Sequence, residues 1–65
     1  MSKQLGFNLK VERLKKHMTQ KELSEHIGIS ARTISRYELN QANPKEKTLM
    51  KFAEFFGKTI EQLLK

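Results

Sequence analysis

The chain has 65 residues, a net charge of +6 and a pI of about 9.9, which together predict one small basic domain over residues 1–65. It contains no cysteine, which excludes disulfides and thiolate metal sites and favours a cytoplasmic location. No apolar run approaches the roughly 18 residues of a membrane span, and the N-terminal segment lacks the apolar centre of a signal peptide. We therefore expect no membrane association.

The positive charge is concentrated in the N-terminal part of the chain. Residues 1–37 contain eight Lys or Arg and three Glu, whereas residues 38–65 contain five Lys and four Glu. A basic surface of this kind is typical of proteins that bind polyanions. No segment combines a large apolar face with clustered lysines, which disfavours a helix lying on a membrane surface.

The first helical pattern is an apolar stripe formed by Phe7, Val11, Leu14 and Met18. These residues are spaced by four, three and four positions, so they share one face of a helix. The stripe predicts a first helix at about 7–17 with this face in the core. The first five residues show no pattern and are expected to fray.

Two short helical patterns joined by a tight turn follow. Thr19 and Glu22 have capping-box spacing, in which the hydroxyl and the carboxylate each accept a backbone N–H at the start of a helix. Gly28 can adopt the left-handed conformation that ends the helix predicted at 19–27. Ser30 is the candidate N-cap of the next helix. Two helices separated by a short turn containing glycine form a helix-turn-helix pattern.

The second of these helices, predicted at 30–38, has one apolar side and one cationic side. Ile34 and Tyr37 are expected to be buried, being three residues apart. Arg32 and Arg36 are four apart and project from another face. Two guanidinium groups on one face can each donate paired hydrogen bonds to guanine edges or phosphates in a major groove. The alternative interpretation is a solvated face with ordinary charges.

A linker and two further helices complete the chain. The linker covers residues 39–44, where Asn-Pro is typical of a turn. Apolar spacing predicts helices at 45–56 and 59–64, with Gly57 ending the first and Thr59 capping the second. The predicted fold is an all-α, five-helix orthogonal bundle. Its expected core consists of Phe7, Val11, Leu14, Met18, Leu23, Ile27, Ile29, Ile34, Tyr37, Leu49, Phe52, Ala53, Phe56, Ile60 and Leu63.

The stretch from Thr19 to Glu38 resembles the lambda-repressor/Cro-like helix-turn-helix family, often called XRE. The matching residues are Thr19–Gln20, Glu22–Leu23, Ser24, Gly28, Ile29–Ser30, Thr33–Ile34–Ser35 and Tyr37–Glu38. The resemblance extends over residues 7–64. It implies sequence-specific binding of double-stranded DNA and usually repression of transcription.

The family also pairs an arginine near the end of its first helix with the acid that matches Glu38. Matching the apolar stripe puts Lys15 at the arginine position, with a connection to Thr19 about two residues shorter than usual. A match without gaps puts Arg13 there instead, with Glu12 at an apolar position. Because apolar burial outweighs one charged side chain, we expect a Lys15–Glu38 contact, with Arg13–Glu38 as the alternative.

Two groups of residues are therefore candidates for contacts with DNA. The expected base contacts are Ala31, Arg32, Thr33, Ser35 and Arg36. The expected phosphate contacts are Thr19, Gln20, Lys21, Asn40, Gln41 and Asn43. N–H groups at a helix N-terminus bind phosphate, which supports the first three, and the resemblance implies backbone contacts for the loop. Three apolar residues have no place in the expected core: Met50, Phe55 and Leu64. They suggest a homodimer, at least on DNA. A homodimer would bind a near-palindromic operator.

Features of other functional classes are missing from the sequence. His17 and His26 are nine residues apart without further ligands, so no metal or other cofactor is expected. We also find no catalytic arrangement and no Gly-rich phosphate loop. The sequence thus favours a DNA-binding repressor rather than an enzyme. One alternative is a protein-interaction module on the same fold, such as an antitoxin or adaptor, and another is non-specific compaction of nucleic acid.

Overall fold

Five α-helices follow one another along residues 4–65, the part of the chain that the computed structural model describes. They are α1 (Gln4–Lys15), α2 (Gln20–Ile27), α3 (Ala31–Glu38), α4 (Glu46–Phe56) and α5 (Ile60–Leu64). The last four each begin one residue after the predicted start, because the capping residue itself lies outside the helical conformation. The fold is the all-α orthogonal bundle of a helix-turn-helix protein.

The core lies between α1, α4 and α5 on one side and the α2–α3 pair on the other. Contacts join α1 to α3, α4 and α5, α2 to α3 and α4, and α4 to α5. Partly buried apolar side chains, among them Ile29, Tyr37 and Ile60, pack around the centre. The buried apolar residues are Leu5, Leu9, Leu23, Ile27, Ile34, Leu49, Phe52, Ala53, Phe56 and Leu63.

Helix α1 differs from the prediction in both its start and its buried face. It begins at Gln4, and Leu5 and Leu9 are its buried apolar residues. Leu5 was expected to fray with the first residues, so that prediction was wrong at this position; residues 1–3 lie outside the described part of the chain. The spacing of four between Leu5 and Leu9 is as compatible with a helix face as the stripe chosen from the sequence.

The stripe predicted to enter the core lies instead towards solvent. Phe7 is 61% exposed and Leu14 is 50% exposed, whereas Val11 and Met18 are half-buried. Placing these four residues in the core was therefore wrong. Helix α1 carries apolar residues on two faces, and their spacing alone does not show which face meets the other helices.

Gly6 explains in part why the Leu5 face of α1 is the buried one. Its backbone N–H donates to Asn40 Oδ1 at 3.2 Å, across the contact between α1 and the end of α3. A Cβ atom at position 6 would lie 2.6 Å from the carbonyl oxygen of Glu38 and 2.7 Å from that of Tyr37. A larger residue at position 6 could not approach these backbone atoms, so glycine allows the Leu5 face of α1 to pack closely on α3.

Candidate nucleic-acid interface

The N-terminus of α2 is closed by the predicted capping box. The Glu22 N–H donates to Thr19 Oγ1 at 3.0 Å, and the Thr19 N–H donates to Glu22 Oε1 at 2.8 Å. The Thr19 backbone N–H, and to a lesser extent its side-chain hydroxyl, hydrogen-bond the exposed Glu22 carboxylate and hold its pKa below the ordinary value of 4.5. The charged form of Glu22 is therefore the one that caps the helix.

A turn of three residues leads from α2 to α3. Gly28 has a φ of +76° and donates its N–H to Ser24 O at 2.9 Å, so it ends α2 in the left-handed conformation. The Thr33 N–H donates to Ser30 Oγ at 3.1 Å, and the Ser30 hydroxyl donates to Thr33 Oγ1 at 2.9 Å. Both caps predicted from the sequence are thus present, and they set the direction of α3 as it leaves the turn.

The two sides of α3 have opposite character. Ile34 is buried, and the ring of Tyr37 meets that of Phe52 on α4 edge to face, with centroids 6.1 Å apart. Arg32 and Arg36 are exposed one turn apart. Among the other predicted base contacts, Ala31, Thr33 and Ser35 are all half-buried. This side of α3 therefore presents two guanidinium groups, with Ala31 and Ser35 on one flank and Thr33 on the other.

An ion pair joins α1 to the end of α3. Arg13 Nε donates to Glu38 Oε2 at 2.8 Å, and Arg13 Nη2 donates to Glu38 Oε1 at 3.1 Å. Both residues are 8% exposed. Arg13 Nη1 also donates to the carbonyl of Met18 at 2.7 Å, so each of the three guanidinium nitrogens donates a hydrogen bond.

The expected Lys15–Glu38 contact is therefore wrong, and the alternative with Arg13 is present. Lys15 Nζ donates to Glu12 Oε2 at 3.2 Å on the surface of α1. The error follows from the choice of the buried face of α1: when Leu5 and Leu9 face the core, the position one turn later is Arg13. The planar fork of arginine also suits a carboxylate better than an ammonium group does.

Gln20 joins this ion pair from the start of α2. Its amide nitrogen donates to Glu38 Oε1 at 3.1 Å, so Glu38 connects the first residue of α2 with the last residue of α3. The signal for this contact in the sequence was the Gln that follows the N-cap. In the free protein its side-chain amide is directed at Glu38, and this bond positions α2 against α3.

The other predicted phosphate contacts lie near the same end of α3. Thr19 and Lys21 are exposed on either side of Gln20. In the linker, Asn40, Gln41 and Asn43 are exposed, and Asn40 has a φ of +58°. Since Gln20 contacts Glu38 and the linker begins directly after α3, both groups of candidates lie near the C-terminal end of α3.

No group of three or more His, Asp or Glu side chains within residues 4–65 is placed to hold a metal ion. None of the helices described is long and apolar enough to cross a membrane.

Comparison with known proteins agrees with this architecture. The helix-turn-helix family pattern matches residues 9–63. The chain is 35% identical over 62 residues to the HTH-type transcriptional activator BcrR of Enterococcus faecalis, covering 92% of this chain and 30% of that protein. It is 36% identical over 55 residues to the uncharacterized HTH-type transcriptional regulator MJ0272 of Methanocaldococcus jannaschii. This match covers 85% of this chain and 83% of that protein.

A third relative is the HTH-type transcriptional regulator ImmR of Bacillus subtilis, 35% identical over 60 residues that cover 92% of this chain and 47% of that protein. The chain thus spans less than half of BcrR and of ImmR but most of MJ0272. No solved structure matches it. With the family pattern over residues 9–63 and regulators of transcription among its relatives, the chain belongs to the XRE-type helix-turn-helix family of transcriptional regulators.

Proposed function

We propose that this protein is a sequence-specific regulator that places α3 in the major groove of double-stranded DNA. The observation that supports this most directly is the pair of exposed guanidinium groups at Arg32 and Arg36, one turn apart on α3. The opposite side of the helix is anchored by buried Ile34, so the arginines project from a fixed support. A protein-interaction module on this fold has no need of two cations at these positions.

The proposed base contacts follow from the chemistry of each side chain. Arg32 and Arg36 would each bind a guanine edge with two hydrogen bonds, worth about 1–3 kcal/mol of discrimination per base. The Ala31 methyl group suits the methyl group of thymine. The hydroxyls of Thr33 and Ser35 suit base edges or nearby phosphates.

Phosphate contacts near the C-terminal end of α3 would set its position in the groove. We assign these contacts to the start of α2 and to the linker, because both are exposed next to α3 and N–H groups at a helix start suit phosphate. In this proposal Gln20 keeps its hydrogen bond to Glu38 while it approaches a phosphate of the DNA backbone. The residues concerned are Thr19, Gln20, Lys21, Asn40, Gln41 and Asn43.

We propose further that two copies bind a near-palindromic operator, with half-sites about 34 Å apart, and that the protein acts in the cytoplasm. Of the apolar residues first considered for a dimer surface, Phe55 and Leu64 pack on the core, whereas Met50 is 47% exposed. Of these three residues, only Met50 therefore offers exposed apolar area for pairing, so we place dimer formation on the DNA. Sedimentation of the protein with a selected duplex should then give two copies per duplex, and one copy on a palindrome would contradict this.

Repression is the outcome that we propose for binding. Occupation of a promoter is sufficient to block transcription, whereas activation requires a further contact with the transcription machinery. A reporter with the selected operator inside its promoter should lose expression when the protein is present. Increased expression would show activation instead.

The test of the main proposal is selection from random duplex DNA at about 0.15 M salt, where weak surface contacts are screened, followed by sequencing. We expect enrichment of a near-palindrome with guanines in each half-site. Recovery of DNA without enrichment would indicate compaction through the backbone. No recovery would favour the protein-interaction module.

A further inference from the structure

Helix α1 exposes an apolar stripe that the fold does not use. Phe7 and Leu14 are 61% and 50% exposed, and half-buried Val11 lies between them along the helix. None of the three belongs to the core cluster of the described residues or to the apolar side chains packed against it. Single exposed apolar residues are ordinary on protein surfaces, but three at helical spacing on one face indicate a contact surface.

Lysines border this stripe on both sides. At 100° per residue, Lys10 falls on one flank of the stripe and Lys15 on the other, and both are exposed. The bond of Lys15 to Glu12 is a surface pair, which contributes little and can exchange partners. The surface is therefore an apolar ridge between two cationic edges.

We propose that this stripe binds an amphipathic helix of another protein whose apolar residues are flanked by acidic ones. A facing helix buries its apolar side against Phe7, Val11 and Leu14, and its carboxylates reach the two flanking lysines. The charge pattern selects this occupant over a second copy of the chain, because two copies would bring their lysines together.

The size of the stripe leads to the same choice. Helix α1 has 12 residues, so its outer face is about 18 Å long. A face of this length and about 10 Å wide covers about 180 Å². Stable dimers bury roughly 800 Å² per partner, which is much more. A short acidic helix that binds weakly and reversibly fits the available surface.

The stripe also remains open when α3 is occupied. Gly6 and Arg13, through which α1 contacts the end of α3 and the linker, lie about 120° around α1 from the centre of the stripe. The protein would thus hold DNA with α3 and the acidic helix with α1 at the same time.

The test uses the full chain and two synthetic helical peptides. Both carry leucines at positions i, i+3, i+4 and i+7, with glutamates on the flanks of one and lysines on the flanks of the other. NMR titration should show shifts at Phe7, Val11 and Leu14 with the acidic peptide and an affinity at least about tenfold higher than for the basic one. Equal affinities, or no shifts on α1, would overturn the proposal.

Variants of the chain separate this surface from the rest of the molecule. Phe7→Ser with Leu14→Ser should weaken the acidic peptide at least about tenfold and leave the affinity for DNA unchanged, whereas Met50→Ser, an exposed control on α4, should change neither. Lys10→Glu with Lys15→Glu should reverse the peptide preference. Concentration-dependent dimerisation that Phe7→Ser abolishes would instead assign the stripe to a second copy and refute the proposal.

Discussion

Arg13 and Glu38 form the contact on which the arrangement of the helix pair depends. Together they connect α1, the carbonyl of Met18 before α2, and the end of α3, and Gln20 adds the first residue of α2. Within residues 4–65, no buried side-chain nitrogen or oxygen lacks a hydrogen-bond partner. Removing one member of such a cluster leaves the others buried without a partner, which is costly in free energy.

We therefore predict that Arg13→Met lowers the free energy of unfolding by about 3–5 kcal/mol, the range for a broken buried ion pair. Lys15→Met is the matched control, since it removes a cation from the same helix. That side chain forms a surface pair, so its loss should change stability by less than about 1 kcal/mol. Urea denaturation of both variants measures the difference, and equal losses would assign the role to both cations.

The family resemblance implied a cation opposite Glu38, with Lys15 expected and Arg13 as the alternative. Arg13 and Lys15 are two residues apart, so the choice depended on which face of α1 is buried. Leu5–Leu9 and Phe7–Val11–Leu14 are both helical stripes. The contact that selects the first, the close approach of Gly6 to the end of α3, joins residues more than 30 positions apart and has no local signal.

The close packing of helix α1 on the end of α3 leads to a prediction about stability. Gly6→Ala should destabilise the protein by about 1–3 kcal/mol, as overpacking does, although alanine favours helices. The added Cβ would meet backbone oxygens, which cannot turn aside as a flexible side chain does. Lys10→Ala, at an exposed position of the same helix, is the control and should be nearly neutral. Thermal unfolding compares the two, and a stabilised Gly6→Ala protein would contradict the close packing.

The start of α2 gives a prediction for pH dependence. Hydrogen bonds from Thr19 lower the pKa of Glu22 below 4.5 in the folded state. The ionised carboxylate therefore contributes stability above its unfolded pKa, and the contribution is lost as the pH falls through the lower folded value. NMR titration of the Glu22 carboxyl should show this lowered pKa, and Thr19→Ala should raise it. Ser30→Ala, which removes the α3 cap, should leave the pKa of Glu22 unchanged. An identical pKa shift in both variants would show that the Thr19 hydroxyl is not the cause.

The ends of the helices could be predicted because their signals are local. Thr19, Ser30 and Thr59 cap helices through contacts three residues away, and Gly28 and Gly57 end them in the left-handed conformation. Such contacts depend on a few neighbouring residues, which the sequence shows directly.

At the scale of the whole molecule, local signals and family resemblance together led to the five-helix bundle. They also selected the cationic side of α3, because burial of Ile34 leaves Arg32 and Arg36 exposed. The outward stripe on α1 could not be anticipated. A stripe of apolar residues normally indicates the core, and here the core takes the other face of the helix.

The most direct measurement of the central claim is the affinity of wild type, Arg36→Ala and Lys51→Ala for the selected operator and each of its single-base-pair variants. Lys51 is an exposed cation on α4, so its removal controls for the loss of one charge. We predict that Arg36→Ala loses about 1–3 kcal/mol on the operator and no longer discriminates at one base pair per half-site, whereas Lys51→Ala keeps the full preference. A loss that is equal on every duplex for Arg36→Ala would contradict base recognition by α3.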